Sequence, residues 1–114
     1  MWIFTNRSFV SVVASENSPN FFMVQSRFPG HIEELFPNTH VSEMPFGPYR
    51  FRASVQKHVV AQKLLDLAES IDYRNFKDSI RDHRYQEACL DVWATLDKYQ
   101  LSSGKTQESD EFMP

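Results

Sequence analysis

An α+β fold is what this sequence predicts, and three observations carry it. Tyr49, Phe51, Ala53 and Val55 alternate with Arg50, Arg52, Ser54 and Gln56, the period of two of a half-buried strand. Val60, Ala61, Leu64, Leu67, Ala68 and Ile71 recur at three- and four-residue steps, the period of an amphipathic helix. Finally, the turn formers of Ser15 to Asn20 separate two apolar runs at hairpin distance.

Taken in order, Ile3 to Thr5 and Phe9 to Ala14 read as one strand, interrupted at Asn6-Arg7-Ser8 by a bulge or tight turn. Phe21 to Phe28 is a second strand, with Phe22, Val24 and Phe28 expected inside. Pro29-Gly30 introduces a short helix, His31 to Phe36, which Pro37 stops. His40 to Met44 is a weak third strand, and Pro45-Phe46-Gly47-Pro48 turns it into the fourth, Tyr49 to Gln56. Lys57 to Ile71 is the second helix. The stretch Asp72 to Arg81 holds a helical turn capped by Asp72 or Asn75. The third helix, about Asp82 to Gln100, repeats Tyr85, Ala88, Cys89, Val92, Trp93, Leu96 and Tyr99 at helical spacing, with Trp93 expected in the core and Trp2 likewise.

These elements predict a four-stranded, antiparallel-rich sheet of order 1-2-4-3 with the helices on one face, a permuted ferredoxin-like arrangement. Residues 1–101 are expected to form a single domain, and 102–114 a flexible acidic tail, since SSGKTQESDEFMP is polar and without period.

Composition narrows the function classes. With 114 residues, 41% of them hydrophobic, and 10 Phe, 4 Tyr and 2 Trp, the chain can bury one core and is not disordered throughout. No apolar run is long enough to span a bilayer, and the opening lacks the pattern of a secretory signal; together with one cysteine this predicts a cytoplasmic protein with no membrane partner. The net charge is −3. Lys105 against Glu108, Asp110 and Glu111 gives the tail −2, so residues 1–101 carry only −1. Any electrostatic role must then come from local arrangement.

Chemistry-bearing motifs are sparse. The three glycines, Gly30, Gly47 and Gly104, build no phosphate cradle. His31, His40, His58 and His83 have no metal-ligand spacing and read as solvated, while Cys89 lies on an apolar stripe and reads as a buried thiol. No cofactor, metal site or catalytic constellation is expected. What stands out is the sheet face away from the helices, where Phe21, Met23, Gln25 and Arg27 would lie beside Arg50 and Arg52. Guanidinium groups suit bidentate contacts to carboxylate or phosphate. Arg27, Arg50, Arg52 and Gln25, with Tyr73 and Lys77 from the polar-aromatic connection, are therefore the candidate binding residues. The plainer account is a solvated face on which an arginine pairs with Glu43.

Several stretches also carry a resemblance. Met1-Trp2-Ile3, Tyr49-Arg50-Phe51-Arg52-Ala53, Ile71-Asp72-Tyr73-Arg74-Asn75-Phe76-Lys77-Asp78 and Val92-Trp93 resemble a group of short uncharacterised bacterial and phage proteins. The similarity spans nearly all of the expected domain and implies no established activity. Members often carry Arg where this chain has Gln25, which would enlarge the cationic face. A phage-borne protein of this size and acidity would suit an inhibitor of host defence.

The expectation is thus a small non-enzymatic binding protein, monomer or homodimer, holding an acidic protein or an anionic small molecule. Two alternatives stay open. One is an enzyme or a nucleotide or RNA binder that uses the arginines as phosphate clamps, with Asp72 or His83 as a candidate base; nucleic acid is the less favoured partner, because the basic footprint is missing. The other is a structural homodimer paired through its sheet faces.

Overall fold

The computed structural model describes residues 1–107, and the chain divides into two compact units, Met1–Arg74 and the residues from Asn75 on. The first unit holds strands β1 (Trp2–Phe4), β2 (Phe9–Ala14), β3 (Phe21–Ser26), β4 (Ser42–Glu43) and β5 (Phe51–Gln56), with helices α1 (His31–Leu35) and α2 (Lys57–Glu69). All strand pairs are antiparallel, and the sheet order is β1-β2-β3-β5-β4.

The sheet has five strands where four were expected, because the opening strand folds back on itself. Thr5 Oγ1 accepts the N–H groups of Arg7 and Ser8 at 3.2 and 2.9 Å, and the Thr5 N–H donates to the Ser8 carbonyl at 2.8 Å. These bonds satisfy the backbone of the reversal locally, so Trp2, Ile3 and Phe4 pair with Ser11, Val10 and Phe9 instead of extending them. The N-terminal ammonium then donates to the Val12 carbonyl at 2.8 Å. The other four strands keep the order expected for them, β2-β3-β5-β4.

One face of this sheet makes the core. Val10, Val12, Val24, Ala53 and Val55 are buried, joined by Ile32 and Leu35 of α1, Phe36 and Val60 of α2. The registers Val12↔Val24 and Val24↔Ala53 place these small and β-branched side chains in one row under the helices. On α2 the stripe is narrower than its period predicts: Val60, Leu64 and Leu67 meet the core, whereas Ala61, Ala68 and Ile71 are exposed. Ser26 is fully buried in this apolar layer, and its hydroxyl donates to the Phe28 carbonyl at 2.9 Å. β3 ends there, so Phe28, expected inside, is 60% exposed.

Helix α1 is only five residues long and depends on its tertiary anchors. Gly30 precedes it at φ +90°, a left-handed conformation that costs a side chain roughly 1–2 kcal/mol. His31, expected to be solvated, is half-buried, and its Nδ1 accepts the Phe9 N–H at 3.1 Å. Arg7 and Glu34 form an ion pair at 3.0 Å above it.

The second unit contains a 3₁₀ turn, Lys77–Ser79, and helix α3, His83–Gln107. Asn75 Oδ1 accepts the Asp78 N–H at 3.1 Å, and Asp82 Oδ1 accepts those of Arg84 and Tyr85 at 2.9 and 3.1 Å, a side-chain N-cap. Ile80 and Cys89 are buried. α3 continues through 102–107, residues expected to begin the tail, and the Ser102 hydroxyl donates back to the Tyr99 carbonyl at 3.0 Å. The rest of the expected tail lies outside the described residues.

Ile32 is fully buried among the β-branched residues of the sheet. Ile32→Ala is expected to lower the unfolding free energy by about 2–5 kcal/mol, read by denaturant titration. Gly30→Ala meets no atom within 4 Å, so its smaller loss, about 1–2 kcal/mol, should reflect the backbone alone.

Candidate functional site

The pleat that turns Phe22, Val24 and Ser26 toward the helices turns Phe21, Met23 and Gln25 the other way, and on β5 it does the same for Arg52, Ser54 and Gln56. Across all five strands one row lies in register on that second face: Trp2, Ser11, Gln25, Arg52 and Ser42. Gln25 and Arg52 are thus direct cross-strand neighbours, side chains that start roughly 5 Å apart. Val13, Met23 and Ser54 form the next row, with Val13 and Ser54 exposed.

Arg52 is the arginine that lies within this face, on the strand next to the β4 edge. It is half-buried, and its Nε is shielded with no hydrogen-bond partner. A partly desolvated guanidinium has already lost some of its hydration, so an incoming carboxylate meets it in a medium of lower dielectric than water.

The two other candidate arginines lie beyond the strand ends and are occupied. Arg27 follows β3; its guanidinium lies 4.9 Å from the centre of the Tyr49 ring, and its Nη1 donates to the Pro48 carbonyl at 3.2 Å. Arg50 precedes β5 and turns to the sheet edge, pairing with Glu43 at 3.0 Å while its Nε donates to the Met44 carbonyl at 3.2 Å. Both members of that ion pair are about half exposed, so it contributes less than ~1 kcal/mol. The pair still holds Arg50 over β4.

Tyr73 and Lys77 do not join the arginines into one described site. Tyr73 borders a cleft of about 220 Å³ with Ile3, Phe4, Leu64, Leu67 and Ile71, at the β1 side of the sheet, and β1 lies three strands or roughly 14 Å from β5. Lys77 belongs to the second unit, where its ammonium sits 4.3 Å from the Trp93 ring centre. A larger cleft, about 490 Å³, has Leu35 and Phe36 at its floor and His58, Lys63 and Asp66 among its lining; the Asp66 carboxylate accepts the Gln62 amide at 2.9 Å.

Beyond Phe21, three aromatic residues on the second face, Trp2, Phe4 and Phe9, were missed by the sequence reading. Phe4 and Phe9 stack at 4.4 Å, and Trp2 meets Phe9 edge-on at 5.9 Å. Trp2, expected in the core, is 66% exposed. The signal was Asn6-Arg7 read as a two-residue reversal: folding the strand there puts Trp2 and Phe4 on the same side as Phe9.

In the second unit, burial and then the neighbouring Cys89 push the Tyr85 phenol far above its ordinary 10.0. Burial likewise raises the Cys89 thiol, only partly opposed by its hydrogen bond with the Tyr85 hydroxyl. A neutral, buried thiol is a poor nucleophile. Among the described residues no cluster of three or more His, Cys, Asp or Glu could hold a metal ion, and no helix is long and apolar enough to cross a membrane.

Because the folded state keeps Tyr85 protonated while the unfolded chain releases its proton near pH 10, the stability this provides is intact below pH 10 and is lost above it. The denaturation midpoint should fall above pH 10, and Tyr85→Phe should flatten that fall. In the same unit, Cys89 should react with a disulfide reagent far more slowly in native protein than in denaturant.

Compared with protein-family models, with curated proteins and with solved structures, the chain finds no match.

Proposed function

We propose that this chain is a small, non-enzymatic binding protein that holds an acidic protein partner on the sheet face opposite α1 and α2. The observation that supports this most is the register row in which Arg52 and Gln25 stand side by side, with Trp2, Phe4, Phe9 and Met23 on the same face. Aromatics, Met and Arg are the residues enriched at protein interfaces, and Trp and Arg dominate their binding energy. Arg52 would take a partner carboxylate, Gln25 would offer an amide beside it, and the exposed Trp2 would anchor the apolar rim. The wider reading of the fold, a permuted ferredoxin-like sandwich, is supported by the β3-α1-β4-β5-α2 succession with β5 between β3 and β4. A phage-type inhibitor of host defence is one protein of this kind, in keeping with the resemblance of its Met-Trp opening and Tyr-Arg-Phe-Arg strand.

Single-stranded nucleic acid is the competing occupant, since exposed Trp2 beside Phe9 offers rings on which bases stack. Its weakness is charge: the chain is −3, and two of the three arginines near this face already have partners.

Affinity capture with the tagged chain, identification by mass spectrometry and titration of the purified partner test the proposal. Arg52→Ala should weaken binding at least tenfold, about 1.5–3 kcal/mol for a charge-assisted hydrogen bond. Arg50→Ala, which removes the edge contacts with Glu43 and the Met44 carbonyl, should change it little. Equal binding by wild type and Arg52→Ala would remove this face from consideration, and tight binding of a fluorescent oligonucleotide would replace the acidic protein by nucleic acid.

A further inference from the structure

Helix α3 carries a pattern that a helix packed only against its own turn does not need. Tyr85, Cys89, Val92, Leu96, Tyr99 and Ser103 follow one another at alternating steps of four and three, the spacing of a coiled-coil seam. The positions flanking that seam are Gln86, Ala88, Trp93, Thr95, Gln100 and Ser102, none of them charged. Every charged residue between 85 and 103, namely Glu87, Asp91, Asp97 and Lys98, falls on the other side of the helix.

The seam is filled at one end and bare at the other. Cys89 is buried and Tyr85 half-buried, and the Gln86 amide donates to the Lys77 carbonyl at 2.8 Å, tying this end of α3 to the 3₁₀ turn. From there on the apolar side chains face solvent: Val92 is 38% exposed, Trp93 53%, Leu96 60% and Tyr99 66%. Trp93, expected in the core, is covered on one side by Lys77 alone among the contacts described for it.

We propose that the bare stretch, Val92 to Ser103, pairs with the same stretch of a second copy of this chain, making a helix-to-helix homodimer. The occupant is a second copy for two reasons. A seam of period 3.5 is complementary to another of the same period, and the uncharged flanks bring no like charges together when two copies meet. They equally offer nothing to a strongly charged partner. The exposed parts of Val92, Trp93, Leu96 and Tyr99 amount to on the order of 400 Å² per copy, about half of a standard stable interface. The dimer is therefore a reversible one, formed in the micromolar range or above. It uses residues of the second unit only.

Sedimentation equilibrium over roughly 1 µM to 1 mM tests it. The average mass should rise from that of one chain toward that of two. In a Trp2→Phe background, Trp93 emission should shift to shorter wavelength over the same range. Leu96→Glu should leave the mass at one chain throughout; because Leu96 is exposed, circular dichroism should show that variant folded. Leu65→Glu, at an exposed apolar position of α2, should dimerise like wild type. The proposal is overturned by a wild-type chain that stays monomeric across the range, by Leu96→Glu dimerising as well as wild type, or by Leu65→Glu abolishing dimerisation equally.

Discussion

The pairing of β3 with its two neighbours governs the first unit. Val24 faces Val12 on one side and Ala53 on the other, all three buried, and the pleat then leaves no choice about the residues between them. A slip of one residue on β3 would drive Gln25 and Met23 under the helices and lift Val24 into water. Burying that one row of small side chains therefore does two things. It seats α1 and α2 on the sheet, and it commits Gln25 and Arg52 to stand together on the opposite side.

That second side is unusual in composition for a solvated sheet face. Trp2, Phe4, Phe9, Val13, Phe21 and Met23 share it with Ser11, Gln25, Ser42, Arg52, Ser54 and Gln56, and the charge in these rows is that of Arg52 on β5. Of the arginines nearby, Arg27 and Arg50 are held by short local contacts with Tyr49, Pro48, Glu43 and Met44. Arg52 differs because it lies within the strand, where its backbone is fixed by the ladder and Glu43 pairs with the neighbouring Phe51 instead. An arginine held within a strand, partly desolvated and set beside Gln25, has the environment in which a charge-assisted hydrogen bond gains most.

The two units bury their apolar residues in different ways. In the first, sheet and helices enclose a contiguous cluster from Val10 to Val60. In the second, which holds a single 25-residue helix and a short turn, Ile80 and Cys89 are buried but most of the apolar stripe of α3 is exposed. A stripe of this kind on a long helix is a surface that association can bury, and the uncharged residues beside it lower the cost of doing so.

Local rules made much of the chain legible. Alternation from Phe51 to Gln56 identified β5, the three- and four-residue spacing identified α2 and α3, and Ser15 to Asn20 identified the β2–β3 connection, because each signal lies within a few adjacent residues. Less local outcomes were not legible. Whether Asn6-Arg7 kinks a strand or reverses it depends on Thr5 finding the N–H groups of Arg7 and Ser8, and that choice moved Trp2 and Phe4 onto the face with Phe9. Which arginine remains available depends on how Arg27 meets Tyr49 and Arg50 meets Glu43 across turns. Trp93 carried a core spacing yet lies exposed, since a periodic stripe states only that a helix has an apolar side. The sequence by itself determined the elements and their polarity, because those follow from backbone period and side-chain solvation; partners, exposure and the makeup of each face were decided by tertiary contacts between residues far apart in the chain.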